Sequence, residues 1–173
     1  ETLGFRSGIE FLPTITNVCR EVATRTAALV RSGHIPVVLG GDHSVGGGSV
    51  AGVSTALAER GQRLGLIWLD AHADLNTPEC TLSGNVHGMP VAHLLGYGDR
   101  GMATLASPSP AVRPEHTVII GARDLDQAER VNAREFGVTI YTMRDLDERG
   151  LRTILAEAIA KVSDGTDGIH VSL

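Results

Sequence analysis

Aromatic residues make up only 3% of the 173 positions, and a single tryptophan is among them. A core so poor in rings must be filled by aliphatic and small side chains. Cysteine is scarce too. Cys19 falls in a helical pattern and Cys80 in a loop, two unrelated thiols that exclude a disulfide scaffold and leave the cytoplasm as the default compartment. No apolar run is long enough to span a bilayer, and no signal-peptide pattern opens the chain. Basic residues number 15 against 20 acidic ones. The net charge of −5, with no basic cluster, excludes a nucleic-acid or anionic-membrane surface. Glycine, by contrast, is plentiful. Yet Gly40–Gly41 and Gly46–Gly47–Gly48 are followed by no Gly-Lys-Ser/Thr and no GxGxxG, which excludes a nucleotide cradle. These glycines are expected to let backbone pass close to a functional centre.

With 42% hydrophobic and 20% charged residues, the chain has an ordinary globular composition, and its length predicts one domain over residues 1–173. It opens without Met and stops inside an apolar run, Ile169–Leu173, which predicts a fragment cut at both ends. Helical spacing of Ile15, Val18, Cys19, Val22, Ala23, Leu29 and Val30 predicts a first helix, with Thr14 as its N-cap and Gly33 as its terminator. Strands are predicted at Ile35–Leu39, Leu64–Leu69, Val118–Ile120, Val138–Tyr141 and Ile169–Leu173. Helices are predicted over about 46–60, 90–95, 127–136 and 151–162, with a Gly- and Pro-rich linkage through Pro114. Strands alternating with helices indicate an α/β fold, a mostly parallel sheet covered on both faces.

The chemistry collects where strands end. Leu64–Leu69 runs into Asp70–Ala71–His72–Ala73–Asp74–Leu75–Asn76, with carboxylate, imidazole and carboxylate at alternate positions. An extended backbone would point all three to one face. Ionised carboxylates buried together need a compensating cation, which argues for a metal; the competing reading is a solvated strand-to-loop turn. His43 follows the first predicted strand, and Asp124 and Asp126 follow the third. Parallel strands share one carboxyl edge, so these residues are expected to meet there. Imidazole with carboxylate oxygen suits Mn, Zn or Fe(II), and several carboxylates able to bridge suggest two ions. His43 alone reads equally as a turn or helix-entry histidine.

Three blocks, Gly41–Asp42–His43–Ser44, Asp70–Ala71–His72–Ala73–Asp74 and Ser83–Gly84–Asn85–Val86–His87–Gly88–Met89–Pro90, resemble in order and spacing the signatures of the ureohydrolase family, within it the arginase branch. The likeness runs from Gly40 to Leu173. It implies a three-layer α/β sandwich, incomplete at both ends, and a binuclear manganese hydrolase cleaving L-arginine to L-ornithine and urea. By this resemblance His43, Asp70 and Asp74 hold one Mn(II), and Asp70 bridges to a second that His72 also binds. His87 matches the proton shuttle and forms the catalytic pair with Asp74; Asn76, Thr81 and Ser83 match the residues that grip the substrate α-carboxylate. Asp126 matches the acceptor of the α-amino group, and Glu129 the acidic residue just beyond it. A homo-oligomer, trimer or hexamer, is also implied. Agmatinase- or formiminoglutamase-type activity and a non-catalytic metal-binding fragment are the alternatives. The family's remaining metal ligands, an Asp-x-Asp after a strand reading like His170–Leu173, are absent. The chain as given is therefore expected to hold at most one Mn(II) weakly and to release no urea.

Overall fold

The computed structural model describes residues 8–173. A 3-10 turn, Gly8–Phe11, leads into α1 (Leu12–Arg31). The helix starts before Thr14 because Pro13 sits in the first turn, where a missing N–H costs nothing and φ is already helical. Its buried face carries Leu12, Thr16, Cys19, Ala23, Thr26 and Ala27, three or four residues apart. That face lies on α2 (Ser44–Ala58), which is buried along most of its length. A Cβ at Gly48 would sit 2.5 Å from the Cys19 carbonyl oxygen, so this glycine lets the two helix backbones meet. The close approach anticipated for the glycine run is thus to α1 here.

β1 (Leu64–Leu69) follows, and a long loop with a 3-10 turn at Val86–Gly88 leads to α3 (Pro90–Leu94) and α4 (Arg100–Ala103). Next come β2 (Thr117–Ala122), α5 (Gln127–Phe136), β3 (Thr139–Thr142), α6 (Met143–Arg149), α7 (Leu151–Ser163) and β4 (Gly168–Ser172). The four strands form one sheet in the order β3-β2-β1-β4, with every pairing parallel. Alternation along the strands sends Leu64, Leu66, Trp68 and Ile119 to a core shared with α2 and α3. Ile67, Val118 and Ile120 go to the opposite face, onto Ile154, Ala158 and Val162 of α7. Helix, sheet and helix make the expected three layers. Helix α6 was not anticipated from periodicity; the reciprocal bonds between Thr142 and Asp145 that start it are its sequence signal.

The predicted strand Ile35–Leu39 does not join the sheet. Its side chains Ile35, Val37 and Leu39 are 93%, 81% and 92% exposed. A groove of about 600 Å3, walled by Val37 and Leu39 on one side and Val171 and Leu173 on the other, separates it from β4. The segment has strand composition but no edge within hydrogen-bonding reach, and composition alone does not make a strand.

Candidate metal centre

The loops that follow β1 and β2, together with the entry to α2, build the site at the carboxyl edge of the sheet. β1 ends at Leu69, and the Asp70 amide donates to Ile120 O of β2, which holds the start of the loop on the sheet. Gly121, at φ +96°, produces the irregular β2–β3 register there; a Cβ on it would lie 3.3 Å from the Asp70 carbonyl oxygen. The chain does not stay extended through the loop. Asp74 turns at φ +51°, the only non-glycine residue with positive φ among those described. Aspartate tolerates this region better than most residues, and strain of this kind gathers at functional sites.

The turn decides which side chains converge. His43, at the entry to α2, places Nδ1 2.5 Å from Asp70 Oδ2 and 3.4 Å from Asp74 Oδ2. Ligand atoms of His43, Asp70 and Asp74 all lie within 4.8 Å of one another, a set that can hold a metal ion. His72 stands apart from this trio, half exposed, with Nδ1 3.3 Å from the other Asp70 oxygen, Oδ1. Asp70 therefore faces one imidazole with each oxygen, the disposition a bridging carboxylate needs. Asp124 lies 3.7 Å from His72 Nε2 and is itself exposed.

Electrostatics fit a cation here. Burial drives the Asp74 carboxyl toward its neutral form, and neighbouring Asp70 adds to this, against the bonds from His43 and Trp68. Burial disfavours a charged His43, but hydrogen bonds and charges from Asp70 and Asp74 prevail and push its pKa up to about 9. Burial raises Asp70 as well, yet the bond from His43 and the His72 amide take it down to about 2. Two carboxylates, one 3% and one 17% exposed, thus share one imidazolium. A divalent ion would take its place with more charge.

Two supporting residues were not found from the sequence. Trp68, fully buried, stacks on the His43 ring at 3.8 Å between centroids, and its Nε1 donates to Asp74 Oδ2 at 3.1 Å. Ser172 Oγ lies 2.8 Å from His43 Nε2. A lone tryptophan at the end of a buried strand, just before an Asp/His cluster, is the signal that was there to be read. Second-layer contacts of this kind fix ligand orientation.

The residues expected to meet substrate are bonded as follows. Asn76 is buried and donates through Nδ2 to Asp126 Oδ2 at 2.8 Å. Asp126 caps α5 by accepting from the Glu129 amide, and Glu129 Oε2 accepts from the Asp126 amide. Glu129 Oε1 accepts from the Ala73 amide, and the residue is 4% exposed, so its carboxylate lies within the protein and both oxygens are occupied. Burial, the leading influence, keeps its pKa raised. The hydroxyls of Thr81 and Ser83 accept from the amides of Gly84 and Asn85, the local turn bonding weighed for such residues. His87 is half exposed, with Nδ1 3.9 Å from Asp42 Oδ2. His93, by contrast, is 1% exposed and lies away from the cluster.

A parallel sheet whose carboxyl edge gathers histidine and aspartate around one buried point defines an α/β protein with a metal-type centre. The sequence model of the Arginase family matches residues 7–173, and the chain belongs to that family. The arginase of Bacillus caldovelox is 42% identical over 167 residues, 96% of this chain and 54% of the relative. That of Brevibacillus brevis is 43% identical over 164 residues, 95% of this chain and 54% of the relative. Among solved structures, native Bacillus caldovelox arginase superposes with a TM-score of 0.89 at 40% identity, covering all of this chain and 57% of that one. An Entamoeba histolytica arginase in complex with L-ornithine gives 0.77 at 31% identity, over 91% of this chain and 54% of that one. The chain spans about half the length of the curated relatives it matches. Among the described residues no helix is long and apolar enough to cross a membrane.

Proposed function

We propose that this chain carries the metal-binding and substrate-recognising part of a manganese hydrolase that cleaves the guanidinium group of L-arginine to L-ornithine and urea. The observation that carries the reading is the convergence of His43, Asp70 and Asp74, with His72 on the second oxygen of Asp70. One imidazole and two carboxylates around a buried point suit a borderline-to-hard divalent ion, and among the described residues no cysteine belongs to the set. His43, Asp70 and Asp74 would hold one Mn(II), and Asp70 with His72 would contribute to a second. Bound there, Mn(II) supplies the Lewis acidity that makes water nucleophilic near neutral pH.

The remaining residues orient and move protons. His87, half exposed beside the metal loop, is free to pass a proton between the site and solvent, a task suited to imidazole. Asp126 offers a carboxylate to the substrate ammonium, and Asn76, Thr81 and Ser83 offer neutral donors to its carboxylate. Relatives that bear the name arginase, and one solved with L-ornithine bound, support an amino-acid substrate.

Titration with Mn(II), followed by electron paramagnetic resonance, tests the first half. The wild-type chain should bind the ion and Asp74→Asn should not. The second half needs the chain extended to its relatives' length. Urea release should then favour L-arginine over agmatine, and His87→Asn should keep Mn(II) while kcat falls by about 10²–10⁴. Preference for agmatine, or loss of Mn(II) with His87→Asn, would overturn the corresponding assignment.

A further inference from the structure

The sequence likeness placed Glu129 beside the substrate amino group; its bonding in the folded chain is of another kind. Oε1 accepts from the Ala73 amide at 3.2 Å and Oε2 from the Asp126 amide at 3.2 Å. Ala73 lies between His72 and Asp74, in the middle of the metal loop. One turn of helix away, Asp126 accepts from the Glu129 amide at 2.8 Å and from the Asn76 side chain, also at 2.8 Å. The capping box of α5 therefore grips the metal loop at two points, position 73 through Glu129 and position 76 through Asp126. Asp74, with its left-handed backbone, is held between those points.

We infer that Glu129 is a positioning residue, whose carboxylate clamps the Ala73 amide to α5 and so fixes Asp74 for metal. The inference rests on the metal-centre reading given above. Its chemistry is specific to a carboxylate. Both partners are backbone donors, so the group must accept at both oxygens. Glutamine would turn an NH2 toward one of the two amides and leave a buried donor unpaired, a costly arrangement. Aspartate is one methylene shorter and cannot span from the first turn of α5 to Ala73 while still closing the capping box. Through Asp126 and Asn76 the same clamp ties the loop that presents metal ligands to the residues proposed for the amino-acid end of the substrate. Order at one end would be transmitted to the other through a few hydrogen bonds.

The test uses the 173-residue chain, Mn(II) alone as the probe, and amide hydrogen exchange. Glu129→Gln should weaken Mn(II) binding by about 10–100-fold, the usual effect of removing a residue that orients a metal ligand. Exchange should quicken over residues 70–76 and the first turn of α5, while the β2 amides keep their protection. Glu129→Asp should shift both readouts in the same direction, and it decides the matter if the glutamine variant fails to fold. Unchanged exchange over 70–76 and unchanged Mn(II) affinity in either folded variant would overturn the clamp. Wild-type chain that binds no Mn(II) would sink the metal reading instead, and the exchange arm, measured without metal, would still decide the clamp.

Discussion

Val37–Val38–Leu39 and Leu66–Ile67–Trp68 are both short apolar runs that lead within a few residues to a candidate metal ligand, His43 after the first and Asp70 after the second. β1 has β2 on one side and β4 on the other, and Leu66 and Trp68 are fully buried. Among the described residues the first run has no strand beside it, and Leu39 is 92% exposed. A run of β-branched and aliphatic residues becomes a strand when at least one of its polar edges and one of its faces find partners. Hence His43 is not held by the segment that precedes it. Its ring is fixed by residues on the sheet: Trp68 by stacking, Asp70 and Ser172 by hydrogen bonds. The rigid side of the site is the β1 side.

The sharpest test of that asymmetry is Trp68→Ala, with the largest effect expected here. It removes a fully buried ring, the stack on His43 and the bond to Asp74, and should cost about 3–5 kcal/mol in denaturant unfolding. Trp68→Phe keeps a ring and loses only the donor. A hydrogen bond to a charged group is worth about 1.5–3 kcal/mol, so this variant should lie between the two and also weaken Mn(II). Wild-type stability and Mn(II) affinity in Trp68→Phe would show that the indole N–H does not orient Asp74.

A second contrast lies between the half-exposed His72 and His87 and the buried His93 in α3. His93 is 1% exposed, and neither ring nitrogen has a partner. Burial lowers its pKa to about 4, against the pull of Asp99 and Glu79. In the unfolded chain the group titrates near its ordinary 6.5, so below that value the unfolded state binds the extra proton. Stability is therefore full above about pH 6.5, falls between 6.5 and 4, and levels off below. The loss over that window is about 3 kcal/mol. His93→Leu should flatten this acid limb. An unchanged pH profile in the variant would assign the acid sensitivity elsewhere, with half-buried His170 next to be tested, since burial also takes it to about 4.

Much of this arrangement was legible before any coordinates. The parallel order and the three layers follow from apolar runs that alternate with helical patterns; the grouping of His43 with Asp70 and Asp74 came from the family likeness, because the run before His43 does not join the sheet. What the sequence hid has physical reasons. Alternation at 70, 72 and 74 assumed extended backbone, and the left-handed turn at Asp74 breaks it, which sets His72 apart from the buried trio. The segment Ile35–Leu39 has the composition of a strand, but pairing depends on neighbours that composition does not reveal. Trp68 read as core and is core, and its polar edge serves the site as well. Glu129 was marked by the likeness as the acidic residue just beyond Asp126, but only packing shows each of its oxygens accepting from a backbone amide.

Helix packing on the other side of His43 supplies a smaller effect. Gly48 touches the Cys19 backbone, so Gly48→Ala forces α1 and α2 apart although alanine is the better helix former. Overpacking of this kind costs about 1–3 kcal/mol. Gain of stability in the variant, as helix propensity alone would give, would mean that the two helices separate without penalty.

The smallest effect is expected at the predicted strand that does not join the sheet. Val37→Lys and Leu39→Lys change side chains that are 81% and 92% exposed, and a surface substitution of this sort lies within about ±0.5 kcal/mol. Lysine on an extended apolar segment should nevertheless change behaviour between molecules. Ile35, Val37 and Leu39 face water together, and the nearby outer edge of β4 exposes Ile169 and Val171. Exposed apolar strands and open edges invite pairing with other chains, and charge on them opposes it. Sedimentation velocity at rising concentration should show the wild-type chain associating and the double variant associating less, at equal unfolding midpoint. A midpoint lowered to the extent expected for Trp68→Ala would break the comparison, because it would mean that the segment is packed in solution as β1 is. An unchanged midpoint with unchanged association would place the sticky surface on the β4 edge alone, where Val171→Lys is the variant that should then reduce it.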